Sequence, residues 1–488
     1  MSYESEAARF RPPTASPIGS ITKVALGRSE LTSEGATAVA DPFRHAVGPG
    51  TLTRVAFEPD ATLPWLDRGV PWDNFQMQSL GASPDELPGA YYIADYDLWQ
   101  RSRLLSESLH KLFTDTAKRL ILESESERGA LVLERQFDIP RGLHAALRTS
   151  IATPCMIGRF DIGFDGNALK VFEYNADSSG ALLETVETQD KIAAHYKFSA
   201  VGQSAGVQMP TKLAAYWSDL AKQPRVRPSH GLVHFMVDDD PEERYTALCM
   251  MQAAKAAKFR TQMCVNFADF KFADDGSNTI IDLNGNVVQC VWKTWSWDTC
   301  IREFNSRAEQ QQAPVSGSST TATASATPSA QGSAGPRRVQ LTDIMFHPNI
   351  AVLEPFWKYV TASKALLPYV FQAEPKNEFL LPAFYEKDAS IEHAYVRKPV
   401  SGRTGANITI HDETSEANAP DFATSGKWEH GTFIYQKKHN IGNAEGYFPI
   451  CCAWVVGSQF GGMIVRESTT PVTRLESPVA PLRIVRHS

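Results

Sequence analysis

Arg159 and Asp161 in IGRFDIGF, and Glu173 and Asn175 in LKVFEYN, stand two residues apart on neighbouring stretches of the chain. Asp165-Gly166-Asn167 between them is turn chemistry, so Ile157–Phe164 and Leu169–Tyr174 are predicted to form a β-hairpin. With the loop at Gly166–Ala168, Asp161 lies opposite Glu173 and Arg159 opposite Asn175. Side chains alternate along a strand, so each pair shares one sheet face. Two carboxylates, an amide oxygen and a guanidinium then converge. Such an all-oxygen donor set suits Mg²⁺, which keeps several waters and completes its shell with substrate phosphates. A surface hairpin with a solvated charged face is the alternative, since structural ion pairs use the same residues.

Other segments carry chemistry of a weaker kind on their own. In KPVSGRTGANITI, Lys398 precedes a Gly-rich loop with Arg403 and Gly405. Glycines let backbone N–H groups approach phosphates, and the cations add charge. The pattern is neither a Walker A nor a Rossmann fingerprint, and an ordinary hairpin loop would read the same way. Lys364 in EPFWKYVTASKALLP and Gln436 in YQKKHN are polar residues next to or within apolar runs. Glu242 and Glu243 follow Asp240-Pro241, where an N-cap and a first-turn proline start a helix whose positive end accepts acids. The same acids would steer a cation. In VWKTWSWDT, Trp292, Trp295 and Trp297 read as packing residues.

Taken together, FEYNADSS, VWKTWSWDT, KPVSGRTG and Arg466-Glu467 resemble the glutathionylspermidine synthase and trypanothione synthetase family. The likeness runs over about residues 70–470, to the synthetase part only and not to the amidase domain fused in some members. It implies an α+β chain with α/β elements: an ATP-grasp fold preceded by a βαβ-containing pre-ATP-grasp domain. It places Mg²⁺ on Asp161, Glu173 and Asn175, and ATP against Lys364, Lys398, Arg403, Gly405 and Gln436. Arg159 and Arg466 would stabilise charge during phosphoryl transfer. Ser178, Glu242, Glu243 and Thr294 map onto substrate contacts. The implied reaction joins two small molecules, a peptide carboxylate such as that of glutathione and an amine such as spermidine. It forms the amide through an acyl phosphate. A ligase for another peptide–amine pair, and an inactive ATP-grasp scaffold or binding protein, are the alternatives. Asp298 stands where the family usually has Glu, GYFPICCAW is only loosely familial, and ESTTPVTRLESP after Arg466 shows no recognisable acid for the amine.

These residues need a large framework, and 488 residues supply one, with length for two or three domains. The expected organisation is a flexible N-terminal segment over 1–50, a synthetase region with the hairpin over 51–305, a flexible insertion over 306–338, and the ATP-binding region over 339–488. The insertion is Gln, Ser, Thr, Ala, Gly and Pro with few large apolar residues. Helices are predicted over Tyr91–Ser124 and Ser124–Gln136. Gly231–Val237, the helix after Asp240 and Phe259–Phe267 read as a parallel βαβ unit. Ile280–Val288 reads as a hairpin turning at Asn284-Gly285, and Trp454–Glu467 as two strands. The net charge of −7 argues against nucleic acid or an anionic membrane as partner. No apolar run approaches the roughly 20 residues of a membrane helix, and no secretory h-region opens the chain. Seven cysteines, without C-x-x-C, are expected to be reduced thiols of a cytoplasmic protein.

Overall fold

Asp165 closes the predicted hairpin: its Oδ1 accepts from the amides of Asn167 (2.8 Å) and Ala168 (2.7 Å), and Gly166 takes φ +98°. This is seen in a computed structural model that describes residues 50–265, 267–312, 337–412 and 420–486. Strands Ile157–Phe164 and Leu169–Asn175 pair antiparallel, with Phe164 opposite Leu169. The loop is therefore Asp165–Ala168, one residue longer than expected, which alone would slip the register. A bulge compensates: Asp161 pairs with Glu173 and Ile162 with Val171, leaving Phe172 unmatched. The expected pairs Asp161–Glu173 and Arg159–Asn175 are restored. On the reverse face Phe160 and Tyr174 stack with ring centroids 3.9 Å apart, and Phe113 meets both edge-on. That aromatic face seats the hairpin on the helix Tyr96–Glu123.

The hairpin forms one side of a five-stranded antiparallel sheet. Its order is Val479–Ala480, Gln459–Ser468, Phe448–Val456, Ile157–Phe164, Leu169–Asn175. The two strands expected in Trp454–Glu467 are thus present, joined at Gly457-Ser458. A second sheet is all parallel: Ala351–Leu353, Cys290–Lys293, Leu232–Val237, Arg260–Val265. It contains the expected βαβ unit around the helix Pro241–Ala256, whose first N–H groups Asp240 caps through Glu242 N at 2.8 Å. A third, antiparallel, sheet runs Ala383–Phe384, Phe433–Lys437, Tyr395–Pro399, Thr409–His411, Phe422–Ala423. A fourth is mixed: Leu52–Ala56, Ala90–Asp95, Leu482–Val485, Gln203–Ser204. The chain is α+β, with the parallel unit as its α/β element.

Several expectations need correction. Tyr91–Asp95 belongs to a fully buried strand, not to the helix, which starts at Tyr96 under an Asp95 cap. A strand buried on both faces is continuously apolar, so periodicity does not separate it from a helix start. The next helix begins at Glu127 rather than Ser124, because Ser126 caps it through Gly129 N. Arg307–Gln312 extend the helix Trp297–Gln312 instead of opening the insertion, and Arg307 bonds Thr342 and Asp343. Ile280–Val288 does turn back at Asn284-Gly285, with Asp282 N bonding Asn286 O and Val288 N bonding Ile280 O at 2.9 Å each, but Ile280–Asp282 also pairs with Phe270–Phe272. Gly50 N already bonds Asp95, while residues 1–49 and 313–336 of the two expected flexible segments lie outside the described residues. Among the described residues all seven cysteines are free, and no helix is long and apolar enough to cross a membrane.

Candidate active site

The polar face of the hairpin opens into a cavity of about 380 Å³. Its wall holds Arg159, Asp161, Glu173, Asn175, Ser178, Glu242, Glu243, Thr294, Lys364, Arg403, Gly405 and Arg466. Twelve residues singled out in sequence, from six separate stretches, therefore share one space. Arg159 grips Asp161 (Nε–Oδ1 2.9 Å, Nη2–Oδ2 3.3 Å) and donates to Gly180 O at 2.6 Å. Lys364 Nζ lies 2.9 Å from Glu173 Oε2, and Asn175 Nδ2 donates to Glu173 Oε1 at 3.2 Å. Burial alone would raise the Glu173 carboxyl, but Lys364 and Lys398 outweigh it and hold the group at about 2.

Lys398 and Gln436 sit behind the ribbon rather than on the cavity wall. Lys398 Nζ donates to Phe172 O (3.0 Å), the carbonyl of the bulged residue, and Gln436 Nε2 to Val171 O (3.4 Å). Burial pushes Lys398 down to about 8, against the pull of Glu173. Arg403 and Gly405 ride on the loop that follows strand Tyr395–Pro399, and Lys364 Nζ bonds Gly402 O at 2.7 Å. Arg466 donates to the carbonyls of Arg474 and Leu475 in the loop beyond its strand.

Gly405 takes φ +70°, and a Cβ there would lie 2.4 Å from Thr473 O. The two loops meet at that point. Gly405→Ala combines a left-handed backbone cost of about 1–2 kcal/mol with this collision. It is expected to separate the loops, seen as faster amide exchange over 403–407 without global unfolding. Exchange at the wild-type rate would contradict the reading.

The same wall carries Glu86, Glu184, Glu242 and Glu243. Burial, reinforced by neighbouring carboxylates, raises Glu242 to about 8; burial also raises Glu243 to about 6 against the Thr294 hydroxyl. Glu86 and Glu184 are raised by burial as well, although Tyr245 donates to Glu184 Oε1 at 2.6 Å. Glu184 Oε2 and the Ser178 hydroxyl are buried without a hydrogen-bond partner, and Thr294 Oγ1 lies beside Glu243 without a bond of good geometry.

Sequence reasoning missed Glu86 and Glu184. It also missed the buried pair Lys293–Asp177, whose second oxygen accepts from Trp297 N at 2.8 Å. This pair fixes the turn after the hairpin against the Trp-rich segment, where Trp292 and Trp297 are core residues as expected. Asp177 follows Glu173 and Asn175 at the same two-residue spacing, and that was its one available signal.

Among the described residues no cluster of three or more His, Cys, Asp or Glu side chains forms a metal cage. Two carboxylates and an amide on one face are donors of the chemical type that suits Mg²⁺ where phosphates complete its shell.

The glutathionylspermidine synthase preATP-grasp family profile matches residues 90–317 and 337–485. Glutathionylspermidine synthase of Crithidia fasciculata is 35% identical over 92% of this chain and 67% of its own length. Trypanothione synthetase of the same organism is 31% identical over 89% of this chain and 63% of its own. The bifunctional glutathionylspermidine synthetase/amidase of Escherichia coli is 29% identical over 86% and 64%. The chain spans about two thirds of the length of these relatives. With both halves of the profile falling on the segments that build this cavity, the chain belongs to the glutathionylspermidine synthase family.

Proposed function

We propose that this chain is an ATP-dependent carboxylate–amine ligase that joins glutathione, or a peptide like it, to a polyamine. One observation carries this reading. A single cavity combines a hairpin oxygen set and cations suited to a triphosphate with four carboxyls of raised proton affinity suited to an amine. The activities in the relatives' names point the same way. The cytoplasm, with its reduced thiols and its ATP, is the compartment we propose.

In this reading Lys364, Arg403 and Arg466 hold the phosphates, and Lys398 acts from behind the hairpin through its field and its hold on Phe172. Asp161, Glu173 and Asn175 would hold Mg²⁺, which would supply charge neutralisation to the phosphates. Arg159 stands where charge develops on the transferring group. The buried hydroxyls of Ser178 and Thr294 gain partners on the peptide. The arriving ammonium gains Glu86, Glu184 and Glu242. Because an amine attacks only after losing a proton, Glu242, with its affinity near neutrality, is the group placed to receive it. The peptide carboxylate takes the γ-phosphoryl group to give an acyl phosphate and ADP, and the amide forms as the deprotonated amine attacks the acyl carbon and phosphate leaves.

Mass spectrometry after incubation with Mg-ATP, glutathione and a mixture of amines tests the proposal. The expected product is the glutathione–polyamine amide, one water lighter than its parts. Turnover only with a different amine would reject the polyamine assignment, and no ATP-dependent amide would reject the ligase.

Glu242 also makes a pH prediction. It binds its proton more tightly folded than unfolded, so its contribution to stability is present at low pH and drains away as pH rises from about 4.5 to about 8. Glu242→Gln, which cannot ionise, is expected to lose less stability than the wild type across that interval in urea titrations. Parallel curves would contradict the assignment.

A further inference from the structure

A second cavity, of about 110 Å³, shares no lining residue with the first. It lies where one face of the helix Tyr96–Glu123 meets strands Gln203–Ser204 and Leu482–Val485 and the start of Gln459–Ser468. Tyr96, Trp99, Gln100 and Arg103 follow helical spacing on that face. Lys212 comes from the helix Met209–Leu220, and Arg486 from the end of the last strand. Three cations line this cavity and, among the described residues, no carboxylate does. In a chain of net charge −7 this is a local reversal of sign.

Each cation is oriented by one contact that leaves donors unspent. The Arg486 guanidinium lies 3.8 Å from the centre of the Tyr96 ring. Lys212 Nζ donates to Phe460 O. Arg103 uses Nε for Glu107 Oε1 at 3.3 Å, and that carboxylate also accepts from Phe460 N. A guanidinium has five N–H groups and an ammonium three, so most remain for a ligand. Burial, together with the nearby Arg103 and against Glu107, loosens the Lys212 proton. Crowded like charges cost free energy that an anion between them relieves.

We infer that this second cavity binds a small oxyanion of the phosphate or carboxylate class, held by Arg103, Lys212 and Arg486. Guanidinium forks take either group bidentately. The proposed ligase reaction does not call on these residues, so the inference stands apart from it.

Isothermal titration of the full chain with inorganic phosphate and, separately, with succinate at low ionic strength tests it. Arg103 and Arg486 are exposed, so an Arg103→Gln/Arg486→Gln variant is expected to keep its fold, checked by circular dichroism. The expected result is saturable binding of at least one anion, weakened about tenfold or more in this variant. The tighter of the two anions assigns the class. Absence of saturable binding for both anions, or equal binding in the Arg103/Arg486 variant, would each overturn the inference.

Discussion

Glu173→Gln is expected to lower ATP-dependent amide formation by about a hundred- to a thousand-fold while the chain stays folded. The side chain is nearly isosteric, so what changes is charge. Wild-type Glu173 is held ionised between Lys364, 2.9 Å away, and the buried Lys398. An amide there withdraws one of two negative donors from the proposed metal, takes the charge partner from Lys364, and leaves Lys398 with Asp161 alone. Lys398, already pushed down to about 8 by burial, would then hold its proton still less firmly, weakening the field behind the hairpin. The fold should survive because the ribbon is seated by its other face, through Phe160 and Tyr174. Phosphate release and circular dichroism together check this. Glu173→Asp, which keeps the charge but shortens the reach, should fall between the two. Undiminished turnover in the glutamine variant would remove Glu173 from the metal and phosphate machinery.

The second large effect is on stability, and it lies in the strand before the family-matched region. Arg54 Nε and Nη2 donate to Glu467 Oε2 (2.8 Å) and Oε1 (3.1 Å), and Tyr92 OH donates to Oε2 at 2.7 Å. Arg54 is 7% exposed and Glu467 1%. The guanidinium also lies 3.9 Å from the centre of the Tyr447 ring. Arg54→Met would leave a buried carboxylate with one neutral donor, which typically costs about 3–5 kcal/mol. Urea unfolding should show that loss with little change in slope. Tyr92→Phe, which removes one bond and keeps the ion pair, should cost about 1–3 kcal/mol. A loss below about 1 kcal/mol in Arg54→Met would show that the pair contributes little. Alternation along Gln459–Ser468 sends Glu467 to one face and Arg466 to the cavity, so the clamp also fixes the direction of Arg466.

The hairpin shows which parts of this architecture can be read from residues alone. Alternation and turn chemistry are local, so the pairing of Asp161 with Glu173 and of Arg159 with Asn175 was readable. The bulge was not, because Phe172 is an ordinary strand residue and no glycine marks it. The Trp-rich segment was readable as core from its composition. Arg54 was not readable as the partner of Glu467, since 413 positions separate them and neither has a local signal. Glu184 escaped for the same reason: its carboxyl gains meaning only where Tyr245 and Gln76 meet it. The strand Ala90–Asp95 was misread because burial on both faces erases the alternation that identifies a strand.

The mixed sheet has a consequence for how the protein is made. Ala90–Asp95 is flanked on one side by Leu52–Ala56, an early neighbour, and on the other by Leu482–Val485. A ribosome adding about 5–20 residues per second reaches that last strand roughly 20–80 s after the second one emerges. Throughout that interval an apolar strand edge stands open in the nascent chain, a natural template for mispairing. Yield in a heterologous host should therefore respond more to chaperone supply and growth temperature during synthesis than to the stability of the finished protein.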